Sequence, residues 1–302
     1  MNNHTPRAIS VVMTTFNGEI YLPRQLDSIL NQSLPPSEII ICDDCSGDDT
    51  VRIVEEYGRC HPEIKYYINS RQLGIIENFK KAVSLTMNDS CIALADQDDI
   101  WKPHKLETLA ARLHEIDGNF PALVYSDLTV INSLEQVLNP SFWNELGQDG
   151  YRHTYQTLLY GNFVTGCTVL MNAAMRNHFL KMPTDVLMHD AWISLVAAAV
   201  GRLEPVAEPL VLYRRHGNNA AFRSTYRKKN NAGRWLDYLR LIIAGKNYLE
   251  PELHMVSRFY AEYGPLMSME KKKQTEKFLQ LTGKSYFRKA LSLQTTFKPF
   301  RK

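Results

Sequence analysis

The sequence of 302 residues contains no apolar run near the ~18 residues that a membrane-spanning helix requires. Its longest candidate, residues 191–200, is too short and is interrupted by Ser194. The opening MNNHTPRAIS lacks an apolar signal core, so the expectation is a protein that is not exported. Cysteine is sparse. Cys42, Cys45, Cys60, Cys91 and Cys167 are odd in number and irregular in spacing, which points to reduced thiols in a cytosolic protein. Several motifs are also missing. Without GxxxxGK(S/T) a Walker-type nucleotide hydrolase is excluded, and without GxGxxG after the first strand a dinucleotide oxidoreductase is disfavoured. Neither GxSxG nor HExxH occurs. Cys42-Asp43-Asp44-Cys45 reads CxxC, but no second ligand pair follows for zinc, and two adjacent carboxylates raise thiol pKa values against redox use.

What is present suits an ordinary globular chain: 44 % hydrophobic and 22 % charged residues, enough to bury a sizeable core and exclude disorder. The net charge of +3 hides a division. Residues 1–220 carry 17 basic against 26 acidic side chains, whereas residues 221–302 carry 18 against 6. Opposite signs of this size suggest two jobs, with the basic segment facing something anionic.

The first half alternates strand and helix patterns. Residues 8–15 (AISVVMTT), 38–42 (EIIIC), 64–69 and 91–95 (CIALA) read as buried strands, and 22–31, 48–57 and 75–84 as helices. This order predicts an α/β fold with a mostly parallel sheet covered on both faces. Ligands then sit beyond the carboxyl ends of the strands. Those ends carry Thr14, Thr15, Phe16 and Asn17; Asp43 and Asp44; and Asp96, Gln97, Asp98 and Asp99. Ser46, Asp48 and Asp49 are accounted for as helix caps, but DQDD is not. Three carboxylates in four residues repel one another and call for a cation. In an extended backbone Asp96 and Asp98 share one side while Asp99 points elsewhere, a hard-oxygen pair suited to Mg²⁺ or Mn²⁺ shared with a phosphate. Further on, Asp190 opens a very apolar helix, as a cap or as a working carboxylate. Leu210 to Tyr213 reads as a short strand leading into Arg214-Arg215-His216-Gly217-Asn218-Asn219, a candidate anion or metal-diphosphate contact.

Six segments in order, SVVMTTFNGEIYLPRQLDSILNQS, IIICDDCSGDDT, LADQDDIWKPHKL, FVTGCTVLMN, HDAW and YRRHGNN, resemble the inverting family 2 nucleotide-sugar glycosyltransferases of GT-A fold, near their rhamnosyltransferase-like members. The resemblance spans residues 8–219; one departure is Cys45, where the family usually has a turn glycine. It implies a catalytic domain over residues 1–220, with a nucleotide-sugar half (about 1–100) and an acceptor half (about 101–220), and a basic helical extension over 221–302. It implies that Thr14, Phe16, Asp43, Asp44, Arg71 and Asp96 bind the nucleotide sugar, Asp43 accepting from the pyrimidine N3–H. Asp98, with Asp96 and His216, would hold Mn²⁺ or Mg²⁺; Asp190 would be the catalytic base; Gly166, Cys167 and Trp192 would line the acceptor pocket. It favours dTDP-rhamnose as donor and a glycan or lipid-linked glycan acceptor of a bacterial cell-surface polysaccharide.

The chemistry agrees with this division. Breaking the anomeric bond builds negative charge on the departing diphosphate, which a divalent metal neutralises, while a separate carboxylate takes the acceptor proton. A sugar-1-phosphate nucleotidyltransferase is the alternative enzyme, but it wants a glycine-rich basic loop where this chain has TTFNGEIY. A non-catalytic nucleotide-sugar-binding protein would not need both DQDD and Asp190 intact. In the extension, Trp235, Leu236, Leu239, Ile242 and Ile243 fall on one helical face, and MEKKKQTEKFLQL and KSYFRKALSL continue as basic helical sequence. Two readings follow: helices packed on the catalytic domain, or a peripheral contact with an anionic inner membrane face. Nucleic acid is not expected as a partner, since no recognised module accompanies the charge.

Overall fold

In a computed structural model of the chain, describing residues 8–116, 118–146, 153–216 and 249–297, the β-branched run β1 (Ile9–Thr15) forms the middle of a parallel ladder. It pairs on one side with β2 (Glu38–Asp43) and on the other with β4 (Cys91–Ala95), while β3 (Ile64–Ile68) extends the sheet beyond β2, all parallel. The crossovers are α1 (Leu22–Leu30), α2 (Thr50–Cys60) and α3 (Ile75–Ser84). After β4 come β5 (Ile100–Trp101), α4 (Lys105–His114), β6 (Ala122–Ile131), β7 (Val137–Asn139), α5 (Phe142–Leu146) and α6 (Tyr155–Leu158). A short 3₁₀ turn, Gly166–Thr168, leads into β8 (Val169–Met171), followed by α7 (Ala173–Lys181), α8 (His189–Val200) and β9 (Arg202–Arg214). The described sheet runs β3-β2-β1-β4-β8-β6-β9-β5, with β7 paired to β6. Short β8 joins β4 and β6 antiparallel to both, and the long β6–β9 ladder is again parallel.

Because successive strand residues face opposite sides, two cores form. Val12, Ile40, Ile92, Leu94, Leu123 and Met171 line one face; Val11, Met13, Ile39, Ile41, Ala93 and Val124 line the other. Burial on both faces explains why β1, β2 and β4 read as continuous apolar runs. Most of α8 is buried, as its near-uniform apolar sequence requires. At its end Gly201 passes so close to β6 that a Cβ would stand 1.9 Å from the Pro121 carbonyl oxygen. Only glycine lets β9 begin there.

The described part of the C-terminal segment forms α9 (Glu250–Tyr263), α10 (Met269–Leu279) and α11 (Tyr286–Phe297). Leu253, Val256, Phe259 and Tyr263 of α9 join the core of α8, and Phe278 of α10 meets Tyr160 edge-on at 4.8 Å. Tyr155 and Thr275 share a hydroxyl hydrogen bond of 2.6 Å, Tyr160 and Ser292 one of 2.7 Å. The described helices of the extension thus pack against α6 and α8. The stripe from Trp235 to Ile243 lies outside the described residues. Among those residues, no helix is long and apolar enough to cross a membrane.

Candidate active site

The carboxyl ends of β1, β2 and β4 lie side by side, which places three of the predicted polar stations together. Asp43, 3 % exposed, accepts from the Thr15 hydroxyl at 2.8 Å, and from the Ser46 amide and hydroxyl at 2.8 and 2.5 Å. A carboxylate has about four acceptor positions, so Asp43 is held rigidly with one left for a ligand N–H. Thr14 is half-buried beside it on β1, and Phe16 just beyond is exposed.

Asp44 behaves differently from the expectation. Its carboxylate accepts from Asn69 Nδ2 at 2.8 Å and from the Leu73 and Gly74 amides at 2.7 and 2.9 Å. It is therefore engaged in folding the loop after β3, which carries the exposed Arg71. Cys45 sits at φ 65°, the left-handed region. The family's glycine at this place answers that backbone demand, and cysteine meets it with strain.

The DQDD segment corrects the sequence reading. Residues 96–99 turn between β4 and β5 instead of continuing extended. Asp99 consequently points inward: ligand atoms of Asp96, Asp99 and Cys167 gather within 4.8 Å of one another. Asp98 points the other way and meets His216, its Oδ2 lying 2.7 Å from Nε2. Beneath the inward group lies Lys105, with no exposed surface; its Nζ donates to the Cys167 carbonyl at 2.7 Å and stands 3.2 Å from the Trp101 ring centroid. Burial, and then the like charges of Asp98 and Asp190, push the Asp96 carboxyl up to about 7. Burial pushes Asp99 well above its ordinary range and lowers Lys105 to about 7.

These two groups differ as metal sites. The inward trio carries a thiol that burial and two carboxylates keep protonated, and it already has a lysine as counter-charge. That set does not suit a hard divalent ion. Asp98 and His216 offer a carboxylate oxygen and an imidazole nitrogen within reach of a single ion, which fits Mn²⁺.

Arg214 and Arg215 were candidates for a diphosphate contact, and the structure engages both within the protein. Arg214 is 1 % exposed; its Nε donates to the Asp98 carbonyl at 2.9 Å, its backbone N–H to Asp99 at 3.1 Å, and its Nη2 to Glu135 at 3.2 Å. It clamps the DQDD turn from behind. Arg215 pairs with Glu145 at 2.6 Å. Gly217, Asn218 and Asn219 lie outside the described residues.

Asp190 stands on the first turn of α8. One oxygen accepts from the Gly166 amide at 3.1 Å and the other from the Ala191 amide at 2.6 Å. Burial raises its pKa to about 6 against those donors. Gly166 must be small here, since a Cβ would stand 2.9 Å from His189 Nε2 and 3.7 Å from Asp190 Oδ2. Gly166 thus adjoins Asp190, but the other two acceptor candidates lie elsewhere. Cys167 is buried under the DQDD turn. Trp192 has no exposed surface and meets Phe259 and Tyr263 edge-on at 5.8 and 6.1 Å. It is a core residue of α8, not an acceptor surface. Sequence reasoning missed Lys105. The signal was its place inside DQDDIWKPHKL, but nothing in the composition shows that a lysine is buried.

The sequence profile described as "Glycosyl transferase family 2" matches residues 10–177. The chain is similar to the dTDP-rhamnosyl transferase RfbG of Shigella flexneri, 27 % identical over 233 residues that cover 72 % of this chain and 77 % of that protein. It is similar also to the putative teichuronic acid biosynthesis glycosyltransferase TuaG of Bacillus subtilis, 28 % identical over 222 residues, covering 69 % and 80 %. Among solved structures it resembles S. aureus TarS 1–349 in complex with UDP-GlcNAc, with TM-score 0.56 and 18 % identity, covering 90 % of this chain and 79 % of that one. At that identity the likeness concerns the fold, which is of the GT-A kind. With a family profile over more than half its length and the polar stations in place, the chain belongs to glycosyl transferase family 2 and is a glycosyltransferase.

Proposed function

We propose that the protein transfers a sugar, with inversion, from a nucleotide-diphosphate donor to a hydroxyl of a glycan acceptor in cell-surface polysaccharide synthesis. The observation that carries this reading is the separation of roles. Asp98 meets His216 at 2.7 Å, whereas Asp190, poised near pKa 6, is held separately by two backbone amides.

In this reading Asp43, Thr14 and Phe16 hold the base and ribose. Asp98 and His216, with Asp96 close by, would hold Mn²⁺ or Mg²⁺, which supplies charge neutralisation for the departing diphosphate. Asp190 accepts the acceptor hydroxyl's proton as that oxygen bonds to the anomeric carbon and the carbon–phosphate-oxygen bond breaks. Its two amide contacts fix the carboxylate without neutralising it. Gly166 leaves room beside Asp190 for the acceptor. The name of the S. flexneri relative, a dTDP-rhamnosyl transferase, supports dTDP-rhamnose as donor, and that of the B. subtilis relative, a putative teichuronic acid biosynthesis glycosyltransferase, supports a role in polysaccharide synthesis. A lipid-linked acceptor at an anionic membrane face is supported by the basic residues 221–302 with their Trp235-to-Ile243 stripe.

The test is a panel of nucleotide sugars with Mn²⁺ or with EDTA, read by release of the nucleoside diphosphate. Turnover with one donor, lost in EDTA and in Asp98→Ala, is expected. Full activity in EDTA overturns the metal assignment; release of inorganic pyrophosphate from a nucleoside triphosphate with a sugar phosphate would instead identify a nucleotidyltransferase. Co-sedimentation with anionic liposomes at low salt tests the membrane contact, which is absent if the protein stays in the supernatant.

A further inference from the structure

Gln97, between Asp96 and Asp98 of the DQDD turn, carries none of the roles above, yet its amide is placed with care. Its Oε1 accepts from the Phe16 N–H at 2.9 Å, and its Nε2 donates to the Phe16 carbonyl at 3.0 Å. Gripping both polar groups of one residue fixes that residue's backbone, and with it the direction of its side chain. Phe16 is 45 % exposed at the end of β1, beside Thr14 and near Asp43. An exposed aromatic ring there has the character of a stacking platform.

The other flank of the same loop is tied to the segment before α2. The Asn17 amide donates to Ser46 Oγ at 2.9 Å, the Gly47 amide to Asn17 Oδ1 at 2.8 Å and the Gly18 amide to Thr50 Oγ1 at 2.8 Å. Phe16 therefore stands at the joint between a loop anchored to β2's exit and a turn that carries the metal-side aspartates. Gly18 completes the arrangement. A Cβ at this position would stand 2.3 Å from Gln97 Oε1, and Gly18 is not among the described glycines with positive φ. The seat of the Gln97 amide, not backbone conformation, is what requires glycine.

We propose that Gln97 is a positioning residue for the nucleotide: it orients Phe16 as the platform for the base and joins that platform to the metal-bearing turn. The proposal rests on the nucleotide-sugar reading above, and the experiment separates the two. Titration calorimetry with UDP and with dTDP is run in EDTA and in Mn²⁺, and with Mn²⁺ alone. Losing two neutral hydrogen bonds in Gln97→Met is expected to weaken nucleotide binding about tenfold in both conditions, leaving Mn²⁺ binding alone unchanged. Gly18→Ala, which displaces the same amide from the opposite side, is expected to match it. The double variant is expected to be no weaker than either single one, because both break one contact. Melting curves on each variant separate this from a purely structural role: a lowered midpoint with unaltered nucleotide affinity overturns the proposal. Changed Mn²⁺ binding alone also overturns it, moving the effect of Gln97 to the metal side. If the wild-type protein binds neither UDP nor dTDP, with or without Mn²⁺, the nucleotide-sugar reading falls too; if it binds and both variants bind equally well, only Gln97's role is lost.

Discussion

At the DQDD turn, Asp96 and Asp99 lie above a buried lysine and the turn is clamped from behind by a buried arginine; at the start of α8, a single aspartate is gripped by two backbone amides. Both places bury carboxylates, and both raise their pKa values, but they settle the charge by different means. At the turn, Lys105 lies beneath the inward pair with its own pKa lowered to about 7 by burial, the Arg214 guanidinium pairs with Glu135 while gripping the Asp98 carbonyl, and the outward aspartate meets His216. Asp190 is gripped by backbone dipoles, with the like charge of Asp96 near enough to be felt, and these contacts orient it while leaving it able to take up a proton. One arrangement suits steady charge neutralisation, the other a proton that comes and goes.

Removing the outward aspartate should give the largest effect. Asp98→Ala is expected to reduce turnover about 10³-fold, the scale on which several kcal/mol of transition-state charge stabilisation appears as a rate. Retained activity would erase the distinction between the two stations. Asp190→Asn is expected to lower transfer at least ~10²-fold while leaving nucleotide affinity unchanged by calorimetry. A near-normal rate would reduce Asp190 to a helix cap.

The comparison can be sharpened by pH. A base must be unprotonated to act, so with Asp190 raised to about 6 the rate should fall as pH drops through about 6, approaching tenfold per unit below it. This acid limb should vanish in Asp190→Asn. A rate that stays flat down to pH 5 would contradict the assignment. Lys105→Met removes the cation from beneath Asp96 and Asp99 and is expected to destabilise the fold by about 3 kcal/mol, measured by urea unfolding. An unchanged midpoint would mean that the aspartates do not depend on it. The smallest effect belongs to Cys45, whose positive φ favours glycine. Cys45→Gly is expected to gain at most about 1 kcal/mol in the same measurement, since relief of strain is partly offset by the freer unfolded chain.

Much of the nucleotide half was legible because its strands are buried on both faces and its helices keep a clear period. The helix read at residues 75–84 and the strand read at 91–95 coincide with α3 and β4. In the second half the apolar helix opened by Asp190 and the strand at 210–213 were read, but β6 and most of β9 were not, and those strands show why. Ser126 and Asp127 interrupt β6, where the ladder shifts register, and Pro205 and Pro209 interrupt β9. Most of β9 pairs on one side only, with β5 reaching just Leu212 and Val211, so prolines are tolerated. Around the site, the sequence singles out Asp98, Asp190 and His216 as candidates, but not the directions in which their side chains point. Asp98 and His216 are 118 positions apart and meet because β5 pairs antiparallel with the end of β9, Ile100 opposite Leu212. Asp99 turns inward because the chain bends before β5, a choice that DQDD alone does not dictate. Trp192 was read as an acceptor residue from its neighbourhood in sequence, but α9 covers it.

That last contact also constrains the order in which the enzyme can be made. The helix bearing Asp190 ends at residue 200, yet the Phe259 and Tyr263 rings that close over Trp192 arrive some sixty residues later. During synthesis the parallel sheet of the first hundred residues can assemble while α8 still presents a bare indole to solvent. The carboxyl ends of β1, β2 and β4 can therefore come together well before α8, with Asp190, is covered by α9. A nascent chain halted before Glu250 should hold its sheet but expose α8 to protease, and catalytic competence should appear only after the tail has left the ribosome.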